Sequence, residues 1–260
     1  MGLNMTKLSA NLGFLWTELS LPDAIRAAKR AGFVAVECHW PYDVPPADII
    51  AALKETGLPM LGLNTSRGDT GAGDNGLSAI PGREAEARAA IDEAVAYAAA
   101  IECANIHVMA GFTDRGLAAE DTFRANLAYA CAAAAPHGIT ILIEPLNNRD
   151  APGYHLADMD AAIATINAVG ASNLKAMFDC YHIQIMQGDL AKRLAASLPH
   201  IGHIQIAAVP DRGEPDTGEV NYAWLLPAID AMGWGGHIGA EYKPRAGTDA
   251  GLGWMAKLGL

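Results

Sequence analysis

The chain has 260 residues, 51% of them apolar, with a formal net charge of -11 and a pI near 5.1. No apolar run is long enough to cross a bilayer, and so acidic a chain lacks the basic face that displaces counterions from nucleic-acid phosphates. What remains is a soluble globular protein acting on something small, with neither nucleic acid nor membrane as partner and with room for a homo-oligomer.

The opening stretch MGLNMTKLSANLGF has no charged segment leading into an apolar one, so no secretory signal is visible and the cytoplasm is the expected compartment. It matches the acylation pattern M-G-x-x-x-[ST] through Gly2 and Thr6, a pattern short enough to arise by chance, and Met5 offers another start. Cys38, Cys103, Cys131 and Cys180 are widely spaced without a C-x-x-C pair, which favours free thiols over a disulfide framework.

Along the chain, short apolar runs rich in β-branched residues alternate with longer stretches of helical period. Strands are expected at 8–14, 34–37, 60–64, 105–109, 140–144, 174–179, 203–206 and 237–242. Between the first two, SLPDAIRAAKRAG pairs Ser20 with Asp23 as a capping box, lines up Leu21, Ala24, Ile25 and Ala28, and stops at Gly32. Before the fourth, GREAEARAAIDEAVAYAAAIEC places Glu84 and Glu86 at a helix start and Ile91, Ala94, Val95, Ala98 and Ile101 on one face.

Strands that are apolar without alternation need cover on both sides, and eight βα units close as an α/β (β/α)8 TIM barrel, with an open doubly wound sheet as the alternative. No linker divides the chain, so residues 1–260 read as a single domain. Two long Gly-rich connections, 66–83 and 209–222, have the length of lids or binding loops. Within the first, GAGDNG satisfies G-x-G-x-x-G at Gly71, Gly73 and Gly76. It leads into LSAIPG and not a helix, so the dinucleotide reading fails and a flexible lid is expected.

The fifth strand, ILIE, ends on Glu144; the sixth ends on Asp179; the seventh carries Gln205 and the eighth Glu241. Successive gaps of 35, 26 and 36 residues each approximate one βα unit, and all C-terminal strand ends of a barrel face one mouth. Three carboxylates converging there repel one another, which a divalent cation resolves, and oxygen ligands favour Mg2+ or Mn2+. Any one of these acids alone is as well explained by a strand-end cap or a surface ion pair; the repeated unit spacing favours a shared site. Glu37, His107 and His182 fall on the same rim. A lone histidine such as His107 is as often structural as functional, whereas His182 follows Asp179 by three residues. Arg212 and Lys243 are cations placed to capture an anionic substrate, or else ordinary solvated charges.

At these residues the sequence resembles the hydroxypyruvate isomerase family, which includes 2-oxo-tetronate isomerases, within the xylose-isomerase-like TIM barrels. The similar stretches include SANLGFLWTE, GDTGAGDNGLSAIPGRE, HVMAG, ILIEPLNNRDAPGYHL, DCYHIQIMQGDL, GHIQIAAVPDRGEPDTGEVNY and IGAEYKPRAGTDAGLGW, spanning nearly the whole chain. The resemblance implies catalytic Glu144 and Glu241, a metal on Glu144, Asp179, Gln205 and Glu241, and substrate contacts from His182, Arg212 and Lys243. HVMAG, AAVPDR and EYKPR are similar to the 2-oxo-tetronate branch, whereas EPLNNRDAPGYHL and FDCYHIQ resemble hydroxypyruvate isomerase. Ala208 stands where many hydroxypyruvate isomerases have an aspartate.

The expected chemistry is therefore hydroxypyruvate to tartronate semialdehyde through an enediol, with the two glutamates as acid and base. The nearest rivals are 2-oxo-tetronate isomerisation and, on neutral polyols, a ketose 3-epimerase or inositol-type dehydratase. A phosphodiester hydrolase would need more histidines and a basic face. A non-catalytic ligand-binding barrel would be expected to lose one of the two glutamates.

Overall fold

The computed structural model describes residues 6–260; Gly2 and Met5 of the acylation pattern lie outside them. Eight strands form: β1 Lys7–Asn11, β2 Ala35–Glu37, β3 Gly62–Asn64, β4 Asn105–His107, β5 Thr140–Ile143, β6 Leu174–Asp179, β7 Ile201–Ile206 and β8 His237–Ala240. Each pairs in parallel with its neighbour, and β1 joins β8, so the sheet runs β2-β1-β8-β7-β6-β5-β4-β3. The seam between β2 and β3 is bridged at Val36 and Met60. There the Leu61 N–H donates to the Val36 carbonyl at 2.7 Å and the Cys38 N–H to that of Gly62 at 3.0 Å. The ring is a TIM barrel, and the open doubly wound alternative is excluded.

The principal helices are α1 Leu21–Arg30, α2 Pro46–Thr56, α3 Glu84–Ala100, α4 Leu117–Ala134, α5 Met159–Val169, α6 Cys180–Met186, α7 Leu190–Ser197 and α8 Tyr222–Ala231. Two short ones follow, α9 Thr248–Gly251 and α10 Gly253–Lys257. The Ser20 hydroxyl accepts from the Asp23 N–H and so caps α1, and it donates to the Asp23 carboxylate, which takes the hydroxyl in place of the Ser20 N–H that a full capping box would use. Ala24, Ile25 and Ala28 are buried under it, while Leu21 is only partly covered. Along α3 the whole expected stripe is buried, Ile101 included, because the helix lies on the barrel with that face inward.

Strand ends differ slightly from expectation. The ladder of β5 stops one residue before Glu144, since Pro145 has no N–H with which to continue it. Glu144 and Glu241 thus stand just beyond β5 and β8, at the C-terminal mouth.

The 66–83 connection is not a hanging flap. Gly76 bridges to Ala110, the Ala79 N–H donates to the Ala110 carbonyl at 2.8 Å, and Leu77, Ser78 and Ala79 are buried. Gly76 has φ +108°, and a Cβ there would fall 2.6 Å from the Met109 carbonyl, so this glycine permits close backbone packing. A short 3-10 turn, Thr70–Ala72, is capped by Asp69, and the Arg83–Asp74 ion pair ties the base. The flexible lid of the sequence reading is corrected to a stapled wall with an exposed tip at residues 69–73. The segment after Gly76 is not helical, so it presents no helix N-terminus to a phosphate.

Candidate active site

Parallel strands deliver their last inward-facing residues to a common mouth, and here those residues are polar. Glu241 is gripped from three sides. The Asn11 amide donates to its Oε1 at 2.9 Å, His39 Nε2 stands 3.2 Å from the same oxygen, and the Arg212 guanidinium pairs with Oε2. Asp179 caps α6 through the Tyr181 N–H at 2.8 Å, and its other oxygen lies 3.4 Å from Arg212 and 3.6 Å from His182 Nε2. Glu144 is less engaged: Oε2 is 3.5 Å from His107 Nδ1, and Oε1, 3.9 Å from His182, has no hydrogen-bond partner among the described residues.

Arg212 is placed with some effort. It comes from the loop after β7, with φ +57°, a left-handed conformation that costs a non-glycine residue about 1–2 kcal/mol. Its own N–H donates to the Ala208 carbonyl at 2.8 Å and its carbonyl accepts from the Lys243 N–H at 2.7 Å. The guanidinium is sandwiched between Phe14 and Tyr181, 4.8 and 4.9 Å from the ring centroids. Backbone and aromatic walls together aim it at the carboxylates.

The carboxylates titrate very differently. Burial pushes Glu144 well above the ordinary range, and the charges of Glu241 and Asp179 push it further. Burial raises Asp179 to about 7, with Arg212 restraining it. Burial alone would also raise Glu241, but Arg212 and His39 override it and hold that carboxyl far below the usual value. His107 and His182 are driven by burial to about 4 and about 3, so both rings are neutral at ordinary pH.

Donor atoms of Glu144, Asp179 and His182 lie within 4.8 Å of one another, a buried group able to hold a metal ion. The unpartnered oxygens Glu144 Oε1 and Gln205 Oε1 fit that use, since buried acceptors without donors otherwise go unsatisfied. A cavity of about 20 Å3, enough for one water, lies among Asn11, Glu37, His107, Glu144, Gln205 and Glu241.

Of the residues expected from sequence, Glu144, Asp179, Glu241, His107, His182 and Arg212 come together at the mouth, and Gln205 borders their cavity. Glu37 also borders the cavity. Both its oxygens are taken inside the barrel, by Ser9, His203 and Gln205. Lys243 is exposed, and its side chain makes no hydrogen bond or ion pair among the described residues. Asn11, His39, Phe14 and Tyr181 were missed: Asn11 and Phe14 fall within the expected first strand and His39 and Tyr181 two residues past the second and sixth, where no spacing between βα units singles them out. Asn11 could have been found as the last residue of β1, and His203 lies two before Gln205 on the same inward face.

Comparison with known proteins bears on the fold and the family. The xylose isomerase-like TIM barrel model matches residues 25–258. The chain is 48% identical over 255 residues to a 2-oxo-tetronate isomerase of Cupriavidus necator, covering 96% of this chain and 98% of that one. The chain belongs to the hydroxypyruvate isomerase family. Within that family of isomerases it is also 39% identical to the hydroxypyruvate isomerase of Escherichia coli, over 96% of this chain and 98% of the other. A crystal structure described as an AP endonuclease, family 2, from Brucella melitensis superposes with a TM-score of 0.94 at 41% identity, covering 97% of this chain and 99% of that one.

The opposed titrations make a testable statement about the chelated protein. Glu144, Asp179 and His203 all bind protons more tightly folded than unfolded. The neutral His107 and His182 oppose this while the unfolded histidines still bind protons, an opposition that is half gone at about pH 6.5 and nearly absent by about pH 7.5, so stability falls as pH rises toward about 8.5. A melting temperature that drops over this interval, with Mg2+ or Mn2+ restoring it most at the alkaline end, is the expected result. A chelated protein that becomes more stable toward pH 8.5 would contradict the assignment.

Proposed function

We propose that the protein isomerises a small hydroxy-oxo acid by moving a proton between adjacent carbons, with Glu241 as base and Glu144 as acid. What supports this most is that two glutamates bordering one cavity are held in opposite protonation states, the arrangement that assigns acid and base roles. Glu241, ionised beside Arg212, takes the proton from the carbon next to the carbonyl. Glu144, protonated by burial, returns one at the neighbouring carbon, while the hydroxyl proton of the first carbon passes to the former carbonyl oxygen. The proton left on Glu241 is then exchanged back to Glu144 through solvent before the next turnover, and the reverse reaction exchanges the roles.

His182 serves as a donor. Its Nδ1 accepts from the Asn147 N–H at 3.0 Å, which leaves the proton on Nε2, facing Asp179 and Glu144 and any substrate oxygen placed there. That tautomer argues against His182 as a metal ligand, despite its nearness to the two acids. His107, buried with both nitrogens unpartnered among the described residues, offers a second neutral contact to the substrate. Mg2+ or Mn2+ on Glu144, Asp179, Glu241 and the amide oxygen of Gln205 would supply Lewis-acid polarisation of the carbonyl. Arg212 and, from the rim, Lys243 provide the positive charge that a substrate carboxylate needs. The four free buried thiols suit a reducing compartment such as the cytoplasm.

Two substrates fit this chemistry. Hydroxypyruvate, converted to tartronate semialdehyde, follows from the motifs around Glu144 and Asp179. A 2-oxo-tetronate follows from the greater identity to the Cupriavidus necator enzyme and from Ala208, fully buried where an aspartate is common in hydroxypyruvate isomerases. We favour the second. An endonuclease role, carried by the name of the Brucella melitensis protein, sits poorly with a net charge of -11 and three acids at the mouth.

Turnover of 2-oxo-tetronate and hydroxypyruvate, measured side by side with Mg2+ or Mn2+ present, decides between them; activity on neither, but on D-tagatose or D-fructose, would replace the reading with an epimerase. Glu144→Gln and Glu241→Gln are each expected to lower kcat by roughly 10²–10⁴-fold with an unchanged circular dichroism spectrum. Full activity in either would remove it from the proton pathway. Lys243→Ala is expected to raise KM for the acid substrate while sparing kcat, and an unaltered KM would leave Lys243 as solvated surface charge.

A further inference from the structure

Below the mouth lies a second polar layer. Glu37, at the end of β2, is 4% exposed and accepts from the Ser9 hydroxyl at 2.9 Å. His203 Nε2 stands 3.1 and 3.2 Å from its two oxygens, and the Gln205 amide nitrogen donates to Oε2 at 2.8 Å. The layer has a notch cut for it: on β8, a Cβ at Gly239 would fall 2.2 Å from Glu37 Oε1 and 2.9 Å from both His203 Nε2 and Gln205 Cγ. Glycine in a strand interior weakens pairing, so its presence marks a close approach that a larger residue would prevent.

A carboxylate can only accept hydrogen bonds, and a primary amide has one end that donates and one that accepts. With Glu37 at the donating end of Gln205, the amide has a single compatible orientation. A flip would press the amide oxygen against the carboxylate. The oxygen Oε1 is therefore directed away from Glu37, and it is buried without a hydrogen-bond partner among the described residues. A buried acceptor held so is ready for a cation.

We propose that Glu37, anchored by Ser9 and His203 in the space left by Gly239, is a positioning residue that locks the Gln205 amide with its oxygen offered to a divalent metal. This rests on the metal reading given above and assigns Glu37 a role distinct from substrate contact. Partners of this kind behind a metal ligand typically set affinity by about 10–100-fold.

The test is direct Mn2+ binding to the chelated protein, by calorimetry or electron paramagnetic resonance. Glu37→Gln replaces an acceptor-only group by an amide that can present either end, so the Gln205 amide is no longer held to one orientation, and Mn2+ binding is expected to weaken by about 10–100-fold with the fold intact. The exchange E37Q/Q205E restores a donor facing an acceptor in reversed polarity and is expected to recover most of that loss, which a merely structural role for Glu37 would not predict. Independently of any variant, the wild-type protein labelled at glutamine is expected to show Gln205 side-chain amide protons protected from exchange. Its amide carbonyl carbon should shift when Mg2+ is added. A folded E37Q protein that binds Mn2+ like the parent, or a Gln205 amide that exchanges freely, overturns the inference while leaving the isomerase reading in place. A parent protein that binds no Mn2+ at all overturns the metal reading and this inference together.

Discussion

The structure of the mouth depends on one ion-pair cluster, Arg212 with Glu241 and Asp179. Three acids collected at the end of a barrel are repelled by one another and starved of water, and uncompensated buried charge costs several kcal/mol per group. Arg212 reaches in from the loop after β7 through a left-handed backbone, with Phe14 and Tyr181 on its two faces and the Lys243 N–H on its carbonyl. Because Arg lies nearest Glu241, its field is unevenly shared. Glu241 stays ionised, Asp179 is poised near neutrality, and Glu144 is left protonated. The opposite titrations of the two glutamates, on which their proposed acid and base roles rest, are thus a consequence of where one guanidinium is fixed.

Much of this was legible in the amino-acid order because parallel barrels convert sequence spacing into position. Acids recurring once per βα unit at the ends of apolar runs can only meet at the mouth, and the strand and helix periods that frame them are strong. What remained hidden depends on direction rather than position. Glu37 is in register with Asn11, at the level of the mouth by its backbone, yet its carboxylate turns to Ser9 and His203 instead of outward. Nothing in a one-dimensional pattern encodes that choice, although Gly239 opposite is its cause in space. Asn11 and His39 reach Glu241 only through the folded arrangement, and their positions in the chain carry no spacing that marks them. The 66–83 connection misled for another reason: its glycines suggested mobility, and at Gly76 the missing side chain instead permits backbone packing against Met109.

The interior below the mouth also bears on how the fold tolerates so polar a centre. Barrel interiors are packed layers of side chains, usually branched and apolar. Here Ser9, Glu37, His203 and Gln205 form a hydrogen-bonded layer, with Glu37 raising the His203 pKa against the effect of burial. Apart from Gln205 Oε1, which has no partner among the described residues, the hydrogen bonds of this layer hold its members in one arrangement.

Counting charge over both layers explains why the amide is there. Glu37, Glu144, Asp179 and Glu241 would bring four negative charges if all were ionised, and Arg212 returns one. Burial and mutual repulsion raise the pKa of Glu144 and Asp179, so protons there meet part of the excess. A divalent cation bound as proposed would take over that part at Asp179, while Glu144 would ligate through one oxygen and keep on the other the proton it is proposed to deliver. A fifth acid at position 205 would add a further charge in the driest part of the barrel. An amide supplies the oxygen without that excess, provided its donating end is held elsewhere, and Glu37 holds it.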